Sequence, residues 1–347
     1  MHEQNQIKVG RPTIGFLGDG LFTSLPDLMW SGVADVAEEL DANAICFPGG
    51  VLRDPHRPQD QAANVLYELV AEARLDGLII WGYVCSRVGT DELRLFYDRY
   101  RFLPLVSVAE RVEGVPSVLV DNYGGMRASV AHLVDVHGCS RIAFIKGNEG
   151  FEEHEDRFRA YRDVLAERGL RFDESLVVTD AQREAFCRRE GIVIQDVPYG
   201  LPPTRLLLDD RGVTFDGLAV CEDDSAIGAL AVLQARGLHV PGDVAMVSFD
   251  DTRIGHCTTP PLTTVHNPVH ELGRRAAEVL LGMLAGEEVA EEVLVPAPLI
   301  VRQSCGCLPK EVTRVPNLLS GADQKRVSQV PLDVMLRKER ASMVSEM

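Results

Sequence analysis

The second half of the chain contains a strand–helix–strand pattern. Residues 217–230 read GLAVCEDDSAIGAL, and residues 237–251 read GLHVPGDVAMVSFDD. The four apolar residues that open the first segment and the apolar run 245–249 each predict a buried strand, and residues 225–236 between them have helical spacing. Strands joined by one helix of this length pair in parallel through a right-handed crossover. Acidic residues follow both strands, directly after residue 249 and one residue further on after residue 220, so they are expected at one edge of a sheet.

The same alternation of strands and helices runs along most of the chain. Two sets of such units predict an α/β protein with two doubly wound parallel-sheet lobes, because a barrel would need eight evenly spaced units. Residues 180–211 interrupt the pattern with charges, glycines and prolines, and we expect an irregular excursion there with a short helix near 204–209. The predicted strands are 13–17, 44–47, 77–81, 105–108 and 118–120 in the first set, and 141–145, 176–178, 217–220 and 245–249 in the second.

Composition and charge exclude several function classes. The 347 residues carry 35 Lys and Arg against 52 Asp and Glu, a formal charge of −17. Such a surface repels nucleic acid and anionic membranes, so neither is an expected direct partner. The polar N-terminus cannot serve as a secretory signal, and no stretch is long and apolar enough to span a membrane. The eight scattered cysteines suggest no disulfide framework, and we expect a cytoplasmic protein.

The candidate site residues follow predicted strand ends, where open parallel sheets bind ligands. Asp121, Asp224 and Asp251 are also well placed to cap helices. Glu222, Asp250 and Arg157 are poorer caps and better candidates for ligand contact. Carboxylates with one guanidinium suit a polyhydroxylated ligand. The ligand-binding residues that we predict are Arg157, Glu222, Asp250, Asp19, Phe22, Tyr83 and Asp121.

Enzyme motifs are weak in this sequence. Residues 15–20 read GFLGDG, which is not the G-x-G-x-x-G of dinucleotide-binding proteins. His132 and His137 are five residues apart rather than four, so they read as surface and loop histidines and not as a zinc-binding helical pair. Glu222 and Asp250 leave open a glycosidase carboxylate pair. We predict no enzyme activity, no cofactor and no metal.

Several ordered motifs resemble the sensor domain of the LacI/GalR family of regulators. They are the two segments quoted above, VLVDN (118–122), His132-Leu133, Gly138, RIAFIKG (141–147), PPLTTV (260–265) and VRQS (301–304). The resemblance covers about residues 12–305. It implies a type I periplasmic-binding-protein-like fold with a ligand cleft between two lobes.

The resemblance also implies lobe boundaries and site residues. The first lobe would hold residues 12–138 and 266–290, the second 139–265 and 291–305, and residues 306–347 a tail or linker. The family's cleft arginine falls on Arg157, its cleft aspartate on Asp250, and an asparagine position on Glu222, where this sequence has an anion in place of a neutral amide. A homodimer is also implied.

Two departures from the family pattern bear on partners. Only twelve residues precede residue 13, too few for the family's helix-turn-helix, so we expect no direct reading of DNA. The ending Cys305-Gly306-Cys307 resembles a subgroup in which the sensor precedes a signalling output domain, and two thiolates alone make an incomplete metal site. The favoured function is sensing of a small sugar- or nucleoside-like molecule through lobe closure. The alternatives are a DNA-linked regulator acting through a partner chain and a glycoside hydrolase using Glu222 and Asp250.

Overall fold

Two six-stranded sheets form the framework of the protein. A computed structural model describes residues 10–20, 24–54, 58–148 and 151–307. In the first sheet all the pairings are parallel, and the central strands are apolar and buried, as expected for a sheet covered on both faces. In spatial order its strands are β2 (Asn43–Pro48), β1 (Thr13–Gly18), β3 (Gly77–Trp81), β4 (Leu105–Val108), β5 (Ser117–Val120) and β11 (Glu292–Val295).

The second sheet repeats the topology of the first. Its strands pair in parallel except for the last, which is antiparallel to its neighbour. Both sheets therefore have the doubly wound order 2-1-3-4-5 with one added edge strand, and the predicted α/β fold class is confirmed. In spatial order the strands are β7 (Val177–Val178), β6 (Ile142–Ile145), β8 (Gly217–Val220), β9 (Ala245–Asp250), β10 (Thr263–His266) and β12 (Leu299–Ile300).

Helices connect the strands and cover the sheets. Among the described residues, no helix is both long and apolar enough to cross a membrane. The helices are α1 (Ser24–Glu39), α2 (Pro58–Ala63), α3 (Val65–Glu68), α4 (Thr90–Asp98), α5 (Asn122–Asp135), α6 (Glu152–Glu167), α7 (Asp180–Glu190), α8 (Leu201–Arg205), α9 (Asp223–Ala235), α10 (Arg253–His256) and α11 (Val269–Ala285).

The chain crosses between the sheets at positions that differ from those expected. Helix α5 follows β5 of the first sheet, but it packs against β8, β9 and β10 of the second. Strand β11 pairs with β5 in the first sheet. The boundaries that the resemblance implied, at residues 138/139 and 290/291, thus do not coincide with the sheets, because α5 already packs on the second sheet and β11 still belongs to the first. Below, "first lobe" and "second lobe" mean each sheet with the helices packed on it.

Residues 180–211 are more regular than we expected. Thr179 and Gln182 form a capping box at the start of α7, and Gly191 ends the helix in the left-handed conformation. Arg183 is buried, with its guanidinium 3.9 Å from the centre of the Tyr199 ring and 2.5 Å from Asp180. Apolar periodicity did not predict this helix, because its buried face includes a charged side chain, Arg183, that is paired with Asp180. The predicted short helix is present as α8 followed by a π-helical turn, Leu206–Asp210.

Helices α1 and α11 pack closely through glycines. A Cβ atom at Gly32 would collide with the backbone carbonyl of His270, and one at Gly273 with the carbonyl of Met29. Two reciprocal glycines let the helix backbones approach, and α11 packs in the first lobe, where the resemblance placed residues 266–290. Around this contact Arg274 pairs with Glu39 at 2.8 Å.

We predict that Gly273→Ala destabilises the protein by about 1–3 kcal/mol, because the two helices would have to separate. Thermal unfolding measures the effect, and the midpoint should fall by several degrees. Gly242→Ala is the matched control, since its added Cβ would meet only His239 Cβ at 3.5 Å. Equal midpoints for the two variants would contradict the proposed close packing.

Candidate functional site

The carboxyl ends of both sheets face a single cleft of about 410 Å³, a volume suited to a small ligand. Each doubly wound sheet contributes its switch point, where neighbouring connections leave on opposite faces. Residues that follow β1 and β3 meet residues that follow β6, β8 and β9. The polar side chains at the cleft are Asp19, Ser86, Thr90, Glu110, Arg111, Asn148, Glu152, Glu153, His154, Arg157, Glu222, Asp224, Asp250, Thr252 and Asn267.

An aromatic row forms one part of the cleft wall. The ring of Trp81 lies 5.7 Å from that of Tyr83, which lies 6.0 Å from the ring of Phe151. Trp81 ends β3 in the first lobe, whereas Phe151 precedes α6. The row therefore brings together residues from both sides of the cleft. Flat apolar faces of this kind pack against the C–H face of a sugar ring or against a base.

Arg157 is the most enclosed charged residue at the cleft, with 2% of its surface exposed. Its Nε donates to Asn122 Oδ1 at 2.9 Å, and its Nη1 donates to the carbonyl of Cys221 at 2.6 Å. The guanidinium also stacks 3.6 Å from the centre of the Phe249 ring. A buried cation needs such partners, and these hold the guanidinium in one orientation.

Asp250 stands opposite this guanidinium in a strained backbone conformation. Its φ is +111°, which non-glycine residues rarely adopt. Oδ1 of Asp250 lies 3.9 Å from Arg157 Nη1 and accepts from Asn267 Nδ2 at 3.3 Å. Burial raises the pKa of Asp250 well above its usual value, and the Arg157 guanidinium opposes this only in part. Strain and desolvation at a cleft-facing carboxyl are features of functional sites.

Two neighbouring acids at the start of α9 have different surroundings. Glu222 occupies the N-cap position without a side-chain capping bond, faces the cleft, and accepts from Ser225 Oγ at 2.8 Å. Asp223 is fully buried and accepts from Ser248, Thr252 and Thr264. Asp223 therefore fixes the loops around the site, and Glu222 remains directed at the ligand space.

Carboxylates face each other across the cleft between β4 and α6. Burial first, and then the charges of Glu152 and Glu153, raise the pKa of Glu110 to about 7. Arg111 bridges the same gap, at 2.7 Å from Glu152 and 2.8 Å from Glu292. The electrostatics at this point thus couple the first lobe to α6.

The structure brings together most of the predicted site residues. Arg157, Glu222, Asp250, Asp19 and Tyr83 line the one cleft, and their contact with a ligand stays a prediction.

Two predicted site residues fall elsewhere. The carboxylate of Asp121 accepts from the backbone N–H of Gly124 at 2.8 Å and caps α5, and it is not part of the cleft wall. Phe22 lies outside the described residues.

Sequence reasoning missed several residues of the cleft. Asn267 follows β10 directly, so the same argument from strand ends could have found it. Its Oδ1 is buried without a hydrogen-bond partner in the described part of the chain. Phe151 and His154 at the start of α6 carried no comparable sequence pattern.

The fold and the cleft define a two-lobed sensor domain of the periplasmic-binding-protein type. Residues 130–305 match the periplasmic binding protein-like domain family, and the chain belongs to that family. Among curated relatives, the transcriptional repressor MelR of Bacillus subtilis is 31% identical over 69% of this chain and 66% of its own length. The regulator GalR of Escherichia coli is 31% identical over 53% of this chain and 49% of its own. The chain thus spans about half to two thirds of these relatives.

Solved structures give the same fold. The transcriptional regulator CelR in complex with cellobiose is 27% identical, with a TM-score of 0.67 over 85% of each chain. The lac repressor dimer bound to operator has a TM-score of 0.68 over 87% of this chain and 96% of that chain, at 22% identity. The relatives and structures support the resemblance to the LacI/GalR family over the sensor domain.

We predict that Glu110→Gln stabilises the protein at pH 8 and not near pH 4.5. The pKa of Glu110 is raised from 4.5 to about 7 in the folded state, so ionisation opposes folding increasingly as the pH rises between these values. The gain at pH 8 should be on the order of 1–3 kcal/mol, because solvent at the cleft screens part of the effect. Thermal unfolding across pH 4.5–8 measures it, with the exposed Glu113→Gln as the control. A gain that does not change with pH would contradict the assignment.

Proposed function

We propose that this chain is the ligand-sensing part of a LacI/GalR-type transcription or signalling regulator. It takes a small polyhydroxylated molecule, sugar- or nucleoside-like, into the cleft between its lobes. The observation that carries the proposal is the facing pair of Arg157 and Asp250, oriented by buried contacts at the switch points of two sheets. The relatives, which are transcriptional regulators, support a binding function rather than catalysis.

The charge of the cleft favours a neutral or cationic ligand. Seven carboxyl groups and two guanidinium groups lie at its surface. Carboxylates accept hydrogen bonds from vicinal hydroxyls, and Arg157 donates in a fixed direction. A phosphorylated or acidic sugar would meet uncompensated repulsion at this surface. The row of Trp81, Tyr83 and Phe151 supplies an apolar face for a ring, and CelR, one of the similar structures, holds cellobiose.

Ligand binding is expected to favour closure of the lobes. Asp19, Trp81 and Glu110 come from the first lobe, and Glu222 and Asp250 from the second. A ligand that contacts both sets binds the closed arrangement more tightly and so shifts the population toward it. Glu110 repels the acids of α6 across the cleft. A ligand whose hydroxyl groups donate to these carboxylates would weaken the repulsion and so would also favour closure.

The output of sensing is expected to pass through a partner. A homodimer is the first candidate, since the lac repressor structure is a dimer. A DNA-binding chain or a signalling output domain is the second. Because the body carries a net charge of −17, direct contact of this domain with DNA is not part of the proposal.

A glycoside hydrolase is the alternative function. The raised pKa of Asp250 would suit a general acid, and Glu222 shares its cleft. Turnover of a chromogenic glycoside that Glu222→Gln abolishes would favour this alternative over sensing.

We predict that the protein binds a member of a panel of neutral sugars, amino sugars and nucleosides. Isothermal titration calorimetry measures the affinity, and small-angle scattering measures the decrease in radius of gyration on closure. Asn267→Ala and Glu222→Gln should each weaken binding at least tenfold, because each removes a polar contact in the cleft. Arg159→Ala, an exposed change on the same helix as Arg157, is the control and should bind as the wild type does.

Sugar phosphates should not bind. Binding that both cleft variants leave unchanged, or a panel without any binder, would contradict the proposal.

A further inference from the structure

Two histidines and two cysteines meet at a place remote from the ligand cleft. Each of His132, His137, Cys305 and Cys307 offers one ligand atom, and the four atoms all lie within 4.8 Å of one another. None of the four lines the cleft. We propose that they bind one Zn²⁺ ion in a Cys₂His₂ site.

The end of α5 brings the two imidazoles together. The helix stops at Asp135, and the backbone N–H of Cys139 bonds back to the carbonyl of Leu133 at 3.0 Å, with Gly138 in the left-handed conformation. This turn folds His137 back over the last turn of the helix. The Nε2 atoms of His132 and His137 are consequently 3.2 Å apart, although five residues separate them. The spacing of five residues predicted surface and loop histidines that do not act as a pair, and the turn after α5 brings their rings together instead.

Hydrogen bonds to the second sheet fix the position of Cys305. Its sulfur accepts from the hydroxyl of Thr263 at 3.1 Å. The adjacent Ser304 accepts from the backbone N–H of Thr263 at 2.7 Å and donates to the carbonyl of Met246 at 2.8 Å. A hydroxyl that donates to a cysteine sulfur stabilises the thiolate, which is the form that binds metal. Cys305 is thus held in place by partners that a metal ligand typically has.

Gly306 lets the two cysteines approach the same point. Its φ is +106°, and a Cβ atom there would lie 3.2 Å from His137 Nδ1. Glycine is therefore required both by the backbone conformation and by the imidazole beside it. Cys305 and Cys307 flank Gly306 directly, so one turn of backbone supplies both sulfur ligands.

The chemistry of the four ligands selects the metal. Tetrahedral zinc, with bonds of about 2.0–2.3 Å, places its ligand atoms roughly 3.3–3.8 Å apart, so the separations here need only a small contraction. The N–N distance of 3.2 Å is within about 0.1 Å of this range. Two thiolates and two imidazoles fill all four positions, which makes a structural site rather than a catalytic one. The ion would fasten residues 302–307 to the end of α5.

The test measures metal content in the full-length chain. The protein is produced with zinc in the medium and purified under reducing conditions without chelator. Its zinc content is measured by inductively coupled plasma mass spectrometry. We expect about one zinc per chain, and less than a tenth of that in Cys305→Ser and in His132→Ala. Cys257→Ser and His239→Ala change an exposed cysteine and an exposed histidine and should retain the metal.

Two further measurements guard against unfolded variants. Cobalt in place of zinc should give the intense visible bands of tetrahedral Co²⁺ and a sulfur-to-cobalt charge-transfer band, both lost in Cys307→Ser. A strong chelator should lower the unfolding midpoint of the wild type, and should leave the midpoint of Cys305→Ser unchanged.

Three results would overturn the proposal. The first is purified protein that contains no zinc and gives only the weak spectrum of octahedral cobalt. The second is a zinc content that stays unchanged in Cys305→Ser and His132→Ala. The third is a disulfide between Cys305 and Cys307 in freshly purified protein.

Discussion

The site depends on the buried contacts of the Arg157 guanidinium with Asn122, Cys221 and Phe249. A charge with 2% exposure is tolerated only where its donors are satisfied, and the partners come from separate parts of the chain: the start of α5, the end of β8 and the end of β9. Two of these points directly precede residues that line the cleft, Glu222 and Asp250. One side chain thus sets the mutual position of Asn122, Cys221 and Asp250.

Repulsion and strain are concentrated around the same cleft. Asp250 combines an unfavourable φ with a raised pKa, and Glu110 faces the acids of α6 at the opposite wall. Such features reduce stability, and they persist because Asp223 and its three hydroxyl donors hold the neighbouring loops. A ligand rich in hydroxyl groups would satisfy these carboxylates.

The site could be predicted in part, because parallel sheets place the residues after their strands at one edge. Asp19, Tyr83, Glu222 and Asp250 were found by that rule, and Arg157 by its conflict with the helix dipole and by resemblance. The rule also selected Asp121, but its carboxylate accepts from the backbone N–H of Gly124 and caps α5. A side chain that follows a strand can be used by the next helix instead of by a ligand. Phe151 and Glu153 were missed because their places depend on how α6 approaches the first lobe.

By itself, the sequence determined the fold class and the positions of most strands along the chain, since apolar runs and helical periods are local and repeat along the chain. Only the tertiary structure decided which sheet buries α5, how Arg183 is accommodated in α7, and that His132 and His137 meet Cys305. The physical reason is that periodicity defines an apolar face or a polar position, whereas its partner is chosen by packing between elements far apart in the chain.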